Sequence, residues 1–196
     1  MSSKPDIPLE LQEAVCRDMQ VWLQRAVIGL NLCPFAKGVH VKGQIRWVVS
    51  SAGDTSTLRE DLQRELLALV ASDPEQTDTT MLMVPGCLAD FLDFNDFLEE
   101  ADVMLEALDL RGVLQIASFH PQFQFAGTTP EDITNYSNRA PYPTLHLLRE
   151  ASIDRAVEAF PEAEAIYERN MQRLRELGLG GWQALGVRRN VEDELP

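Results

Sequence analysis

Two of the chain's three histidines, His120 and His146, fall in one polar stretch between Phe119 and Glu150, with Asn135, Tyr136, Asn138, Arg139, Tyr142 and Arg149. A neutral imidazole can take or give a proton near neutral pH, so His120 and His146 are the candidate catalytic acid and base. A guanidinium offers a planar fork of donors matched to carboxylate or phosphate, which makes Arg139 and Arg149 candidate anion holders. Asn135, Asn138 and Tyr142 could orient the same substrate through hydrogen bonds. Each assignment has a bland alternative: a turn histidine at Pro121, a salt bridge from Arg149 to Glu150 or a neighbouring helix, and asparagines that merely make turns.

His146 and Glu150 stand four positions apart. On a helix that spacing lets a carboxylate touch the imidazole, fixing its tautomer or joining it as a ligand. With His120 the pair would form a two-histidine, one-carboxylate set for a divalent metal. No HExxH, CxxC or DxDxG pattern accompanies it. Cys33, in Asn31-Leu32-Cys33-Pro34-Phe35, is read as a possible nucleophile activated by Lys37 and His40, or as a buried structural thiol.

The elements that must position these residues follow from periodicity. Leu11, Val15, Met19, Trp22, Leu23, Ala26, Val27 and Leu30 recur at helical steps and predict a helix from Leu9 to Leu30, closed at Cys33-Pro34. Residues 31–43 read as a loop. Ile45–Ser50 reads as a strand, and Thr57 with Glu60 as a capping box for the helix carrying Leu58, Leu62, Leu66 and Leu69. Thr79–Val84 is a second strand, the segment around Phe94–Leu108 a helix, Val113–Phe119 a third strand, and Gln122–Phe125 a short fourth. Thr129-Pro130-Glu131-Asp132 opens a short helix. Helices are then expected through Thr144–Glu150, Ser152–Phe160 and Glu162–Leu177, the last ended by Gly178.

Strand and helix alternate through the middle of the chain, which predicts an α/β fold. The expectation is a small, mainly parallel sheet of three to four strands, flanked by helices and carrying a helical C-terminal extension. A ferredoxin-like α+β arrangement with an antiparallel strand is the alternative. Residues 1–186 form one domain in this reading, and 187–196 a charged, loose tail. In a parallel sheet, ligands bind beyond the carboxyl ends of the strands. His120, His146 and Arg139 are therefore expected to converge at that rim.

At 196 residues the chain is one domain's worth of material. Seventeen basic against 31 acidic residues give a net charge of −14, which argues against a nucleic-acid partner. Charge is uneven: 73–109 holds eleven carboxylates and no Lys or Arg, whereas 19–53 holds no acid and four cations, Arg25, Lys37, Lys42 and Arg46. An anionic small molecule is the better partner. No apolar run approaches the roughly 20 residues of a membrane span, so no membrane partner is expected. Cys16, Cys33 and Cys87 form no disulfide framework, which places the protein in the reducing cytoplasm.

The strings Asn31-Leu32-Cys33-Pro34-Phe35-Ala36, Ser118-Phe119-His120-Pro121 and the unbroken run from Asn138 to Glu150 are similar to those of an uncharacterised bacterial family, catalogued as domain of unknown function 1415. The resemblance covers most of the chain. The family pattern commonly has serine where Ala140 stands here, and it brings no established activity. Three functions remain open on these residues. The first is a small enzyme acting on an anionic molecule by histidine acid–base hydrolysis or group transfer. The second is a metal-dependent enzyme using His120, His146 and Glu150, and the third a non-catalytic ligand-binding or regulatory module.

Overall fold

The long apolar stripe near the N-terminus winds Leu9–Trp22 into helix α1, and the winding then widens to a π-helix over Leu23–Ile28. In the computed structural model, which describes residues 7–158 and 165–190, Leu11, Val15, Met19, Trp22, Leu23, Ala26 and Val27 of that stripe are all buried. The wide turn closes where the Gly29 N–H donates to the Gln24 carbonyl and the Leu32 N–H to that of Val27. A Cβ at position 29 would lie 2.3 Å from the Arg25 carbonyl oxygen, so only glycine fits there.

The expected loop that follows contains a short helix, α2 (Ala36–Val41). Then come β1 (Ile45–Val49), α3 (Thr55–Ala71), β2 (Thr79–Met83), α4 (Phe91–Ala107) and β3 (Leu114–Phe119). Asp54, rather than Thr57, caps α3: its carboxylate accepts the Thr57 N–H at 2.8 Å, a stronger acceptor one turn earlier. Gln122–Phe125 is not a strand, because the Phe123 N–H turns back onto the His120 carbonyl. The helix expected after Thr129 is a 3-10 turn over Ile133–Ser137, capped by Asp132.

The largest difference lies at Thr144–Arg149, which is strand β4 rather than a helix. Helices α5 (Glu150–Glu158) and α6 (Ile166–Ala184) complete the chain. Gly178, at φ +64° and ψ 174°, leaves the helical conformation, so the first helix of the α6 span ends there as expected and a second short helix runs on to Ala184. The junction expected near Phe160–Glu162 lies outside the described residues, as does the tail beyond Asn190.

The α/β class stands, but the sheet is mixed and not mainly parallel. Its order is β1-β2-β4-β3, with β1 and β2 parallel and β4 antiparallel to both neighbours. β2, α4 and β3 make a split βαβ unit, and β4 fills the gap between its strands. β1, β2 and β3 consequently still run the same way, and their carboxyl ends share one rim. Residues on β4 alternate between faces. Leu145 and Leu147 join Leu82 and Leu114 beneath α3 and α4, which contribute Leu58, Leu62, Leu66, Phe94 and Phe97. On the other face Met81 and Met83 pack with Val15, Met19 and Trp22 of α1 and with Leu174 and Trp182 of α6. No helix among the described residues is long and apolar enough to cross a membrane.

Candidate functional site

His120 leaves the end of β3 toward the α4 face and is fully buried there. Its ring lies 5.4 Å from that of Phe91 and 5.1 Å from that of Phe94. Nε2 donates to the Leu88 carbonyl at 3.0 Å, and Nδ1 accepts the Gln122 N–H at 3.0 Å. Burial holds its pKa below the ordinary value, against the opposing Leu88 hydrogen bond and the Asp90 charge. Both ring nitrogens are engaged in the neutral form, so His120 staples the β3 exit to the β2 exit. The turn role weighed at Pro121 is the one the geometry gives it.

Several residues expected to bind substrate also hold backbone in place. The Asn135 side-chain oxygen accepts the Phe125 N–H and the Thr128 hydroxyl, while its amide donates to the Thr129 carbonyl. Asn138 reaches the Ser118 carbonyl at 3.4 Å and accepts from Ser137. Arg149, unpaired with Glu150, closes the end of α3: one guanidinium nitrogen donates toward the Leu69, Ser72 and Thr77 carbonyls and the Ser72 hydroxyl. A cation there also complements the negative end of the helix dipole.

His146 and Glu150 cannot meet as helix neighbours, because they stand on a strand and at the start of the next helix. Four residues along a strand cover about 13 Å. His120 and His146 moreover lie on opposite faces of the sheet. Among the described residues no cluster of three metal-ligating side chains occurs, so the His120, His146 and Glu150 set is not assembled.

Arg139 does reach the rim. There it lines a pocket of about 490 Å³, together with Pro121 and Gln122 beyond β3, Tyr136 and Pro143 on the way into β4, and Trp182, Arg188 and Arg189 from the C-terminal end. Arg139 spends two donors on backbone, Nε to Phe123 at 3.0 Å and Nη2 to Pro130 at 2.7 Å, and lies over the Tyr136 ring at 4.5 Å. Arg189 lies over the Tyr142 ring at 4.7 Å, and Arg188 Nε donates to Asn190. Among the described residues none of the three faces a carboxylate partner, and no Asp, Glu, His or Cys lines the pocket. The edge of Trp182 against Tyr136, centroids 5.1 Å apart, gives it an aromatic wall.

Reading the sequence alone missed Arg188 and Arg189, and with them the residue that delivers them, Asp18. Asp18 is buried on α1, where its carboxylate accepts the Tyr142 hydroxyl and the Asn190 N–H, both at 2.9 Å. Tyr142 is thus a buried anchor whose pKa is pushed up by burial and then by Asp18. One signal for the missed pair was present: 188–189 is the one place in the chain where two cations are adjacent.

His146 and Cys33 meet elsewhere, in a cavity of about 310 Å³ on the α1 face. Thr79 Oγ1 lies 2.7 Å from His146 Nε2 and donates its single proton to the Leu147 carbonyl at 2.6 Å. Nε2 must therefore carry the ring proton and donate to Thr79. Burial brings the His146 pKa down to about 4 and pushes the Cys33 thiol up, despite amide hydrogen bonds from Phe35 and Ala36. Imidazole and thiol both rest uncharged. The convergence of His120, His146 and Arg139 in one cleft does not occur: they occupy the α4-side core, the α1-face cavity and the rim.

The chain belongs to the family described as protein of unknown function DUF1415, whose match spans residues 14–184. No curated protein and no solved structure matches it. Arg139 and the strings around His120 and Cys33 fall inside the matched span, whereas Arg188 and Arg189 fall just beyond it.

Proposed function

We propose that the protein is a small-molecule binding module whose rim pocket takes an anion, a carboxylate or phosphate bearing a compact apolar body. One observation carries this reading: three guanidinium groups, from Arg139, Arg188 and Arg189, line one pocket in a chain whose net charge is −14. Arginines on such a surface would ordinarily pair with the abundant carboxylates, and among the described residues these do not. Their planar forks suit oxyanions, and the Trp182 and Tyr136 rings suit an apolar body beside the charge. The anionic ligand expected from the sequence is retained. The histidine acid–base step is not, since neither His120 nor His146 lines the pocket. A cytosolic setting belongs to the same proposal, because Cys16, Cys33 and Cys87 are all free thiols.

Isothermal titration with inorganic pyrophosphate and with citrate tests it. Either anion at a hundredfold excess over its Kd stabilises the protein by about 2.7 kcal/mol. For a domain of this size that raises the Tm by roughly 5–10 °C. Arg188→Ala and Arg189→Ala each weaken binding about tenfold or more, the scale of one charge-assisted hydrogen bond. Binding also weakens as salt rises. Variants that bind as tightly as the native protein, or a Tm indifferent to every anion tried, would refute the reading.

A further inference from the structure

The cavity over His146 is not absorbed by the rim pocket, and its chemistry is of the opposite kind. Its walls are apolar: Trp22, Leu23 and Val27 from the N-terminal helix, Phe35 from the Cys33 loop, and Met81 and Phe119 from the sheet. Leu23 and Val27 belong to the π-wound segment, a rare winding that recurs where helices shape functional sites, and α2 and α5 add Val39 and Ile153 to the helical wall. Its volume of about 310 Å³ is roughly twice that of an engineered apolar cavity that takes up benzene, enough for a two-ring compound or a chain of comparable bulk.

Polar groups in the cavity are few, and their states follow from hydrogen bonding. Thr79 gives its proton to Leu147, so His146 holds its own proton on Nε2. Nδ1 is left as a lone-pair acceptor, with no hydrogen-bond partner among the described residues. Among the described residues Asp78 is the only charged group lining the cavity, and its carboxylate accepts the Ser152 hydroxyl at 2.5 Å. Among the described residues no cation lines the space, so an anion finds no partner there and would meet Asp78.

We infer that this cavity is a second binding site, for an uncharged, largely apolar small molecule that presents one hydrogen-bond donor to Nδ1 of His146. The ligand class is that of a phenol, an indole or a fatty alcohol. Its apolar body replaces water against Trp22, Met81 and Phe119, and its O–H or N–H supplies the one bond the imidazole lacks. Cys33 lines the same walls as an un-ionised thiol and contributes apolar contact. The site is independent of the rim pocket, so either can stand if the other falls.

Isothermal titration with three naphthalene probes tests the inference on the full chain. 2-Naphthol binds about tenfold more tightly than 2-methoxynaphthalene, which keeps the rings and loses the donor, and 2-naphthoate does not bind at this site. His146→Leu keeps the apolar volume, removes the acceptor and takes the two neutral probes equally. Arg188→Ala/Arg189→Ala leaves 2-naphthol binding unchanged. Should His146→Leu fail to fold, the native protein labelled with ¹⁵N-histidine decides: the His146 Nδ1 resonance shifts with 2-naphthol and stays in place with the methoxy compound. No binding of 2-naphthol, equal binding of both neutral probes by the native protein, or an unmoved Nδ1 resonance overturns the proposal.

Discussion

Acid should weaken the native state through His146 well before the carboxylates titrate. In the unfolded chain its imidazole takes a proton near pH 6.5, whereas in the cavity burial delays protonation to about pH 4. The unfolded state thus binds more protons throughout that window. Stability is complete above pH 6.5 and is lost progressively as the pH falls toward 4. The gap of about 2.5 pH units, at 1.36 kcal/mol each, gives a ceiling of about 3.4 kcal/mol, and water entering the cavity lowers it. Against a total stability of roughly 5–15 kcal/mol that loss is substantial, equivalent to a Tm drop of roughly 7–14 °C. Urea unfolding of the native protein and of His146→Leu, each at pH 7 and pH 4, isolates the effect, because other groups titrate alike in both. The native protein loses about 2–3 kcal/mol more than the variant on acidification. Equal losses would refute the reasoning, as would an NMR titration in which the His146 ring midpoint falls near 6.5.

Two further substitutions check the local arguments, both read by urea denaturation. Gly29→Ala forces a methyl group against the Arg25 carbonyl and is expected to cost about 1–3 kcal/mol; a neutral result would mean the π-turn rewinds freely. Arg149→Met strips donors from the Leu69, Ser72 and Thr77 carbonyls at the end of α3 and is expected to cost about 2–3 kcal/mol while leaving anion binding intact. Loss of anion binding in a folded Arg149→Met protein would move the site away from the rim.

The elements legible in the sequence were those with one buried face. The stripes on α1, α3 and α4 are amphipathic, and Leu58, Leu62, Leu66, Leu69, Phe94 and Phe97 are buried as their spacing implies. β4 was illegible because both of its faces are covered. Leu145 and Leu147 point into one core while His146 and Leu148 line the cavity, so Thr-Leu-His-Leu-Leu-Arg shows no clean alternation and runs on into the helical pattern of α5. Mistaking that strand for a helix made the sheet look mainly parallel and brought Glu150 falsely beside His146. Arg139 was legible because its setting, between Asn138 and Ala140-Pro141, provides no helix neighbour to pair with it. Arg188 and Arg189 were not, because the contact that brings them to the rim joins Asp18 to Asn190, residues 172 positions apart.

β4 is also where the two proposed sites are kept apart. Its approach, from Arg139 to Pro143, walls the rim pocket, its centre presents His146 to the apolar cavity, and its last residue closes α3. These duties depend on register, since sliding a strand by one residue exchanges every side chain between faces. A one-residue slip would carry His146 into the apolar layer under α3 and α4 and bring Leu147 to the cavity, stranding an imidazole without Thr79. Two bonds oppose it: the Val84 N–H to the Pro143 carbonyl at 2.8 Å, and His146 to Thr79 at 2.7 Å. The imidazole that offers a lone pair to the cavity is therefore also a pin of the strand's alignment, with Nε2 serving the fold and Nδ1 left for the ligand.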